Sequence, residues 1–246
     1  MKIKEFDDCH RSPALLMLAM SITAVAMVIS GCSRSTETSN TEAEEALDAE
    51  VSAEERPYFD AAKPFVEAIA SRDYAKAYEH LSSHAKAKMS PNQFVAPDDD
   101  ATQNRNEAAA INNPSPEQFA QMISAAEKEY GKPSKLAELN VFSTNPTVLS
   151  GKAKSTEDKL DAMFAIGMMP ASIPADIRKA SLRSKLIVEL SPEQLAETAK
   201  AYQMTPEKLK ADPEFQPYLT LKTVLVEDSG ALKVGYFEFL PPGIFD

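Results

Sequence analysis

Residues 64–94 read PFVEAIASRDYAKAYEHLSSHAKAKMSPNQF, and the spacing of their apolar side chains decides the architecture. Phe65, Val66 and Ile69 continue a stripe begun by Phe59 and Ala62, at the period of an amphipathic helix. Ser71-Arg72-Asp73 then breaks the pattern and can cap a second helix, whose stripe is Tyr74, Ala77, Tyr78, Leu81 and Ala85. Two short antiparallel helices joined by a tight corner are the predicted product, with Phe65, Ile69, Tyr78 and Leu81 turned toward a sheet. Ser90-Pro91-Asn92-Gln93 predicts a further helical turn, and residues 96–115 read as a loop or a weakly held helix.

Downstream, the Ser-Pro-Xaa-Gln pattern returns at Ser115-Pro116-Glu117-Gln118 and Ser191-Pro192-Glu193-Gln194, followed by Thr205-Pro206-Glu207-Lys208. A Ser or Thr oxygen can accept an N–H at a helix start, Pro fits where no N–H partner is needed, and Glu suits the positive end of the dipole. Gln118 and Gln194 also stand where a capping box takes its second member. The repetition therefore reads as helix punctuation. Strands are expected in the second half, at LAELNVFST, TVLSGKA, LRSKLIVEL, LTLKTVLVED and LKVGYFEFL. The last two flank Asp228-Ser229-Gly230, a hairpin turn, with Val224, Val226, Val234 and Tyr236 or Phe237 supplying a buried face. Helical insertions are expected around residues 156–170 and 191–218. Met163, Met168 and Met169 in the first of these read as core packing, with an adaptable ligand surface as the other reading.

An N-terminal helical pair followed by a curved antiparallel sheet resembles the NTF2-like, cystatin-related superfamily. Residues 64–94 carry the resemblance: apolar helix positions, an Asp73-Tyr74 corner, the Ala77-Tyr78 pair, Leu81-Ser82 and a short third helix. It implies an α+β domain, residues 56–246, in which the helical pair packs on a curved sheet that wraps a pocket like a cone. Tyr78 is then the candidate pocket-lining residue, its hydroxyl directed either to a ligand or to the protein's own backbone. Members of that superfamily include enzymes and binding or accessory modules, and no catalytic pattern transfers to this chain. The long helical insertions depart from the compact pattern.

Upstream of this domain lies a different kind of sequence. Residues 12–33 form a run of 22 without a charged side chain, and within it Ile29-Ser30-Gly31-Cys32 resembles the bacterial lipobox. Small residues at Ser30 and Gly31 let an extended backbone enter a peptidase cleft, and the Cys32 thiol would receive diacylglycerol. The resemblance implies a lipoprotein signal peptide over residues 1–31, cleavage before Cys32, and a lipid-anchored, extracytoplasmic protein of the bacterial cell envelope. The start is not strongly basic, because Lys2, Lys4 and Arg11 are offset by Glu5, Asp7 and Asp8. A transmembrane helix is the competing reading of the run. Ser33 fits outer-membrane sorting if the cell has two membranes. Loss of Cys9 with the signal would leave only Cys32, already acylated, so stability is expected from packing and not from a disulfide.

Residues 34–55 hold eight acidic side chains and one basic, a net charge of -7 out of -11 for the chain. With little apolar mass, residues 32–55 read as the lipidated Cys and a solvated, flexible tether. The rest is mildly acidic with scattered Lys and Arg, so no nucleic-acid partner is expected.

His80 and His84 are one helical turn apart and could hold a metal at two points, but no Cys or local carboxylate completes a site. No Gly-Xaa-Ser-Xaa-Gly elbow, Gly-rich phosphate loop or His-Glu-Xaa-Xaa-His occurs, and the chain contains no Trp. No catalytic residue, metal or cofactor is expected. The leading expectation is non-catalytic binding of a small apolar ligand or an envelope partner by a membrane-tethered domain. Two others stand beside it: an extracytoplasmic hydrolase or isomerase with a pocket carboxylate, and a structural protein-interaction module. A filled interior with an exposed apolar patch would favour the last of these.

Overall fold

The computed structural model describes residues 51–90, 94, 110–166, 172–213 and 215–240. The apolar run, Cys32 and the acidic segment up to Glu50 lie outside the described residues, as do Pro91, Asn92, Gln93, residues 95–109, Met168 and Met169. Val51 packs against the core, and Ser52 and Glu55 form a small turn in which the Ser52 hydroxyl donates to the Glu55 carboxylate at 2.6 Å.

Helix α1, Arg56–Ala70, buries Phe59, Ala62, Phe65, Val66 and Ile69 along one stripe. The chain reverses at Arg72, whose φ of 62° lies in the left-handed region. Asp73 caps α2, Tyr74–Glu79, by accepting the Lys76 N–H at 3.1 Å, and Ser82 caps α3, Ser83–Ala87, in the same way. A two-residue ladder of β1, Lys88–Met89, and β2, Ile111–Asn112, follows. Helix α4, Pro116–Tyr130, starts with the expected capping box of Ser115 and Gln118 and ends at Gly131, φ 95°.

Four strands then build the main sheet: β3, Lys132–Ser143; β4, Arg178–Glu189; β5, Tyr218–Asp228; and β6, Ala231–Leu240. Each pairs antiparallel with its sequence neighbour in the order β3-β4-β5-β6. Between β3 and β4 lie α5, Pro146–Leu149, and α6, Thr156–Ile166; between β4 and β5 lie α7, Pro192–Ala201, and α8, Pro206–Ala211. One face of the sheet packs under α1 and α4, with Leu182, Leu221, Phe237 and Phe239 in that core. The other face carries Val224, Val226 and Tyr236 against Ile173, beside the α5–α6 layer.

Leu81 fastens the helical corner to the sheet. It forms an isolated parallel bridge with Val234, the Val234 N–H donating to the His80 carbonyl at 3.1 Å and the Ser82 N–H to the Val234 carbonyl at 2.8 Å. The β6 edge is thereby partly occupied. The opposite edge, β3, carries Pro133, Lys132, Lys135 and three register shifts, devices that discourage further pairing.

The α+β class, the antiparallel sheet and the helices packed on it are present. The curved, cone-like NTF2 sheet is not: among the described residues no sheet is closed or strongly curled. Its second face is covered by the α5–α6 layer and Ile173, so the sheet is sandwiched between two layers and cannot wrap around a central pocket. The TVLSGKA segment is also corrected. Asn145 accepts the Thr147 N–H at 2.8 Å, Pro146 opens the turn, and Val148 and Leu149 are buried on one side of a short helix instead of alternating along a strand. Met163, read as core, is 70% exposed.

Candidate functional site

A groove of about 560 Å³ lies where four parts of the chain meet. Arg72 comes from the corner after α1; Ser124, Glu127 and Lys128 from the last turns of α4; Lys132 and Glu189 from the paired ends of β3 and β4; and Leu190, Ser191, Pro192 and Gln194 from the start of α7. Most of its polar groups are spent on building the walls. The Ser124 hydroxyl donates to the Ala120 carbonyl at 3.0 Å, and the Gln194 amide donates to the Lys128 carbonyl at 2.9 Å, tying α7 to the end of α4.

Glu127 organises one wall. Its side chain is only 8% exposed, and it accepts the Arg72 Nε–H at 2.8 Å and the Tyr74 hydroxyl on the same oxygen. Helical periodicity puts Glu127 on the inward side of α4 with Phe119, Ile123 and Ala126, where only an ion pair makes a carboxylate tolerable. The pairing raises the proton affinity of the Arg72 guanidinium, mainly through the hydrogen bond to Glu127. Burial pushes the Tyr74 phenol up, and the bond to Glu127 adds to the effect. At groove pH values near neutral, Tyr74 is therefore a fixed donor.

A second cavity of about 680 Å³ is lined by Gln203, Met204, Thr205, Lys208, Ala211, Asp212 and Pro213. Although larger, it draws on the single stretch 203–213 and is shallow against solvent. The groove gathers groups from distant parts of the sequence and is the better candidate.

Tyr78 lines neither cavity. Its hydroxyl donates to the Pro114 carbonyl at 2.7 Å, and its ring packs on Phe119 with centroids 5.6 Å apart. Lys86 Nζ stands 4.8 Å from the ring centroid, a cation–π contact that closes the solvent side. His80 ends α2, where burial and the nearby Lys76 push its imidazole down; His84 lies in α3. No cluster of three or more His, Cys, Asp or Glu suited to a metal occurs among the described residues.

The region where an enclosed pocket was expected is filled by aromatic rings. Phe94, Phe119 and Phe237 meet edge-on, with centroids 5.3 Å apart for Phe94–Phe237 and 5.8 Å for Phe119–Phe237, and Phe65 joins Phe237 at 5.4 Å. Such contacts are stabilising beyond their buried area.

A buried charged group went unrecognised in the sequence. Lys222, 2% exposed, forms an ion pair with Glu238, its direct partner across β5 and β6, and its Nζ lies 5.0 Å from the Tyr236 ring centroid. Burial, then Glu238, pushes the Tyr236 phenol up. The signal was a lone charge, Lys222 or Glu238, inside each of the stretches 219–226 and 234–240, away from the charged residues beside the turn.

No protein-family model matches the chain, and no curated protein or solved structure is significantly similar to it.

Proposed function

We propose that the chain is a lipid-anchored envelope protein, attached through Cys32, whose folded domain binds an envelope partner on its surface without catalysing a reaction. The anchor rests on the lipobox-like Ile29-Ser30-Gly31-Cys32 after an uncharged run. Surface binding rests on one structural observation: Phe65, Phe94, Phe119 and Phe237 fill the space between helices and sheet, so a small apolar ligand finds its chamber already occupied by side chains. The groove at Arg72 and Glu127 is then the best-formed surface for contact.

Mass spectrometry of the membrane-extracted protein tests the anchor, with the expected product beginning at a diacylated Cys32. An intact residue 1–31 segment and an unmodified Cys32 would overturn it. A photo-crosslinking side chain at Lys132 tests the groove, with one at Lys208 as the comparison. A discrete envelope adduct from position 132 alone is expected, and equal labelling from both positions counts against the groove.

A carboxylate-based hydrolase or isomerase is the second reading, because Glu127 stands beside Tyr74 in the cleft. Glu127 directs its carboxylate into Arg72 and Tyr74 of its own chain, an arrangement suited to holding a wall.

A further inference from the structure

The C-terminal hairpin is ambiguous by composition. Residues 236–240 read Tyr-Phe-Glu-Phe-Leu, apolar on both parities but for Glu238, and residues 219–226 read Leu-Thr-Leu-Lys-Thr-Val-Leu-Val, where Lys222 is the single charge. Two registers can grow from the same Ser229-Gly230 turn, whose φ values of 56° and 80° suit a tight two-residue hairpin. Near the turn, Asp228 pairs with Ala231, Val226 with Lys233 and Leu225 with Val234. Beyond Gly235 the register shifts by one, so that Val224 pairs with Tyr236, Thr223 with Phe237 and Lys222 with Glu238.

Without that bulge, every residue from 236 to 240 would turn to the opposite face. Tyr236 and Glu238 would enter the aromatic core under α1, while Phe237 and Phe239 would move to the Val224 side. Backbone geometry permits the bulge because position 235 is Gly: a Cβ there would sit 2.4 Å from Val226 Cγ1. Permission is not selection, however, since the unbulged hairpin keeps the same turn and still buries aromatic residues on both faces.

We infer that the buried Lys222–Glu238 pair is the register lock of this hairpin, selecting the bulged state over an unbulged competitor. In the observed register the two charges face each other, both withdrawn from water. In the competitor Lys222 would oppose Phe237 and Glu238 would stand among Phe65 and Phe119 with no cation opposite it. A buried charge deprived of its partner is strongly disfavoured, whereas two apolar residues at these positions would discriminate little. The lock thus fixes which face of β6 completes the core.

Disulfide trapping in the full chain reads the register directly. Thr220 and Leu240 are partners only in the bulged state. With Thr220→Cys and Leu240→Cys, oxidation followed by proteolysis and mass spectrometry should show near-complete linkage of the two positions when Lys222 and Glu238 are kept. Lys222→Met with Glu238→Leu should lower linkage to about half, the value for two registers of equal energy. The exchanged pair Lys222→Glu with Glu238→Lys should restore it. Complete linkage in the apolar pair, or no recovery in the exchanged pair, overturns the inference. If the apolar pair does not fold, Glu238→Gln is scored by the same criterion, and undiminished linkage there overturns it.

Discussion

Arg72 Nε meets the Glu127 carboxylate at 2.8 Å across 55 positions of sequence, and so pins the corner after α1 to the last turn of α4. Arg72 makes this contact from a left-handed backbone conformation. Two costs are combined at one residue, and substitutions separate them. Arg72→Ala removes the partner of a nearly buried carboxylate and should cost about 2 kcal/mol, the partly exposed guanidinium keeping the loss moderate. Arg72→Gly loses the same ion pair yet relieves the backbone, and should be less damaging by about 1 kcal/mol. Chemical denaturation of both variants checks the order.

Leu81 and Lys76 offer a contrast within one helical corner. Leu81 is fully buried at the β6 edge, while Lys76 projects into solvent. Leu81→Ala should cost on the order of 2 to 5 kcal/mol, through lost burial and a residual cavity. Lys76→Ala should stay within about 0.5 kcal/mol of the parent. Equal melting losses would contradict the burial of Leu81 against the β6 edge.

Tyr78→Phe deletes the hydroxyl that donates to Pro114 and leaves the ring on Phe119. A loss of about 1 kcal/mol in denaturant is expected, typical of one neutral hydrogen bond. Crosslinking from Lys132 should be unchanged, because Tyr78 lies outside the groove.

Thr223 presents the opposite case. Its hydroxyl is buried on the helix-facing side of β5, opposite Phe237, and no hydrogen-bond partner among the described residues reaches it. Thr223→Val keeps the shape and removes the desolvated oxygen, so stability should rise by about 1 kcal/mol. A lower denaturation midpoint would contradict this.

Asp228 couples the hairpin turn to pH. Its carboxylate accepts the Ser83 N–H at 2.6 Å and the Ser83 hydroxyl at 3.1 Å, and the backbone bond is the main reason its pKa lies below the ordinary 3.8. A carboxylate depressed in the folded state contributes stability above its unfolded pKa and loses it as pH falls through the folded one. Asp228→Asn should therefore flatten the acid limb of stability below about pH 4 and leave the slope between pH 6 and 8 unchanged. Urea midpoints across that range would test it.

The first helix was legible from residues 64–94 because helical periodicity is local. The single second helix expected over Tyr74–Ala85 is corrected: it stops at Glu79, Leu81 leaves the helix to bridge Val234, and Ala85 belongs to a separate short helix, because pairing with the β6 edge outweighs continuing the local period. The capping boxes at Ser115 and Ser191 were legible because they too are local, cap and partner lying three residues apart. So was the Ser229-Gly230 turn. TVLSGKA misled because a short apolar run fits a strand and a helical turn equally, and burial against α6 decided between them. The groove could not be read at all, because Arg72, Glu127, Glu189 and Gln194 converge only once the sheet and helices are docked.

Which face of β6 is inward also lay beyond local pattern. Tyr236 and Phe237 are both largely apolar, so the sequence alone determined that a hairpin forms there, together with its turn. Tertiary structure decided that Phe237 joins Phe65 and Phe119 while Tyr236 turns to Ile173. The physical reason is long-range. A one-residue bulge at Gly235 reverses the parity of everything after it, and the Lys222–Glu238 pair between strands makes one parity far less costly than the other.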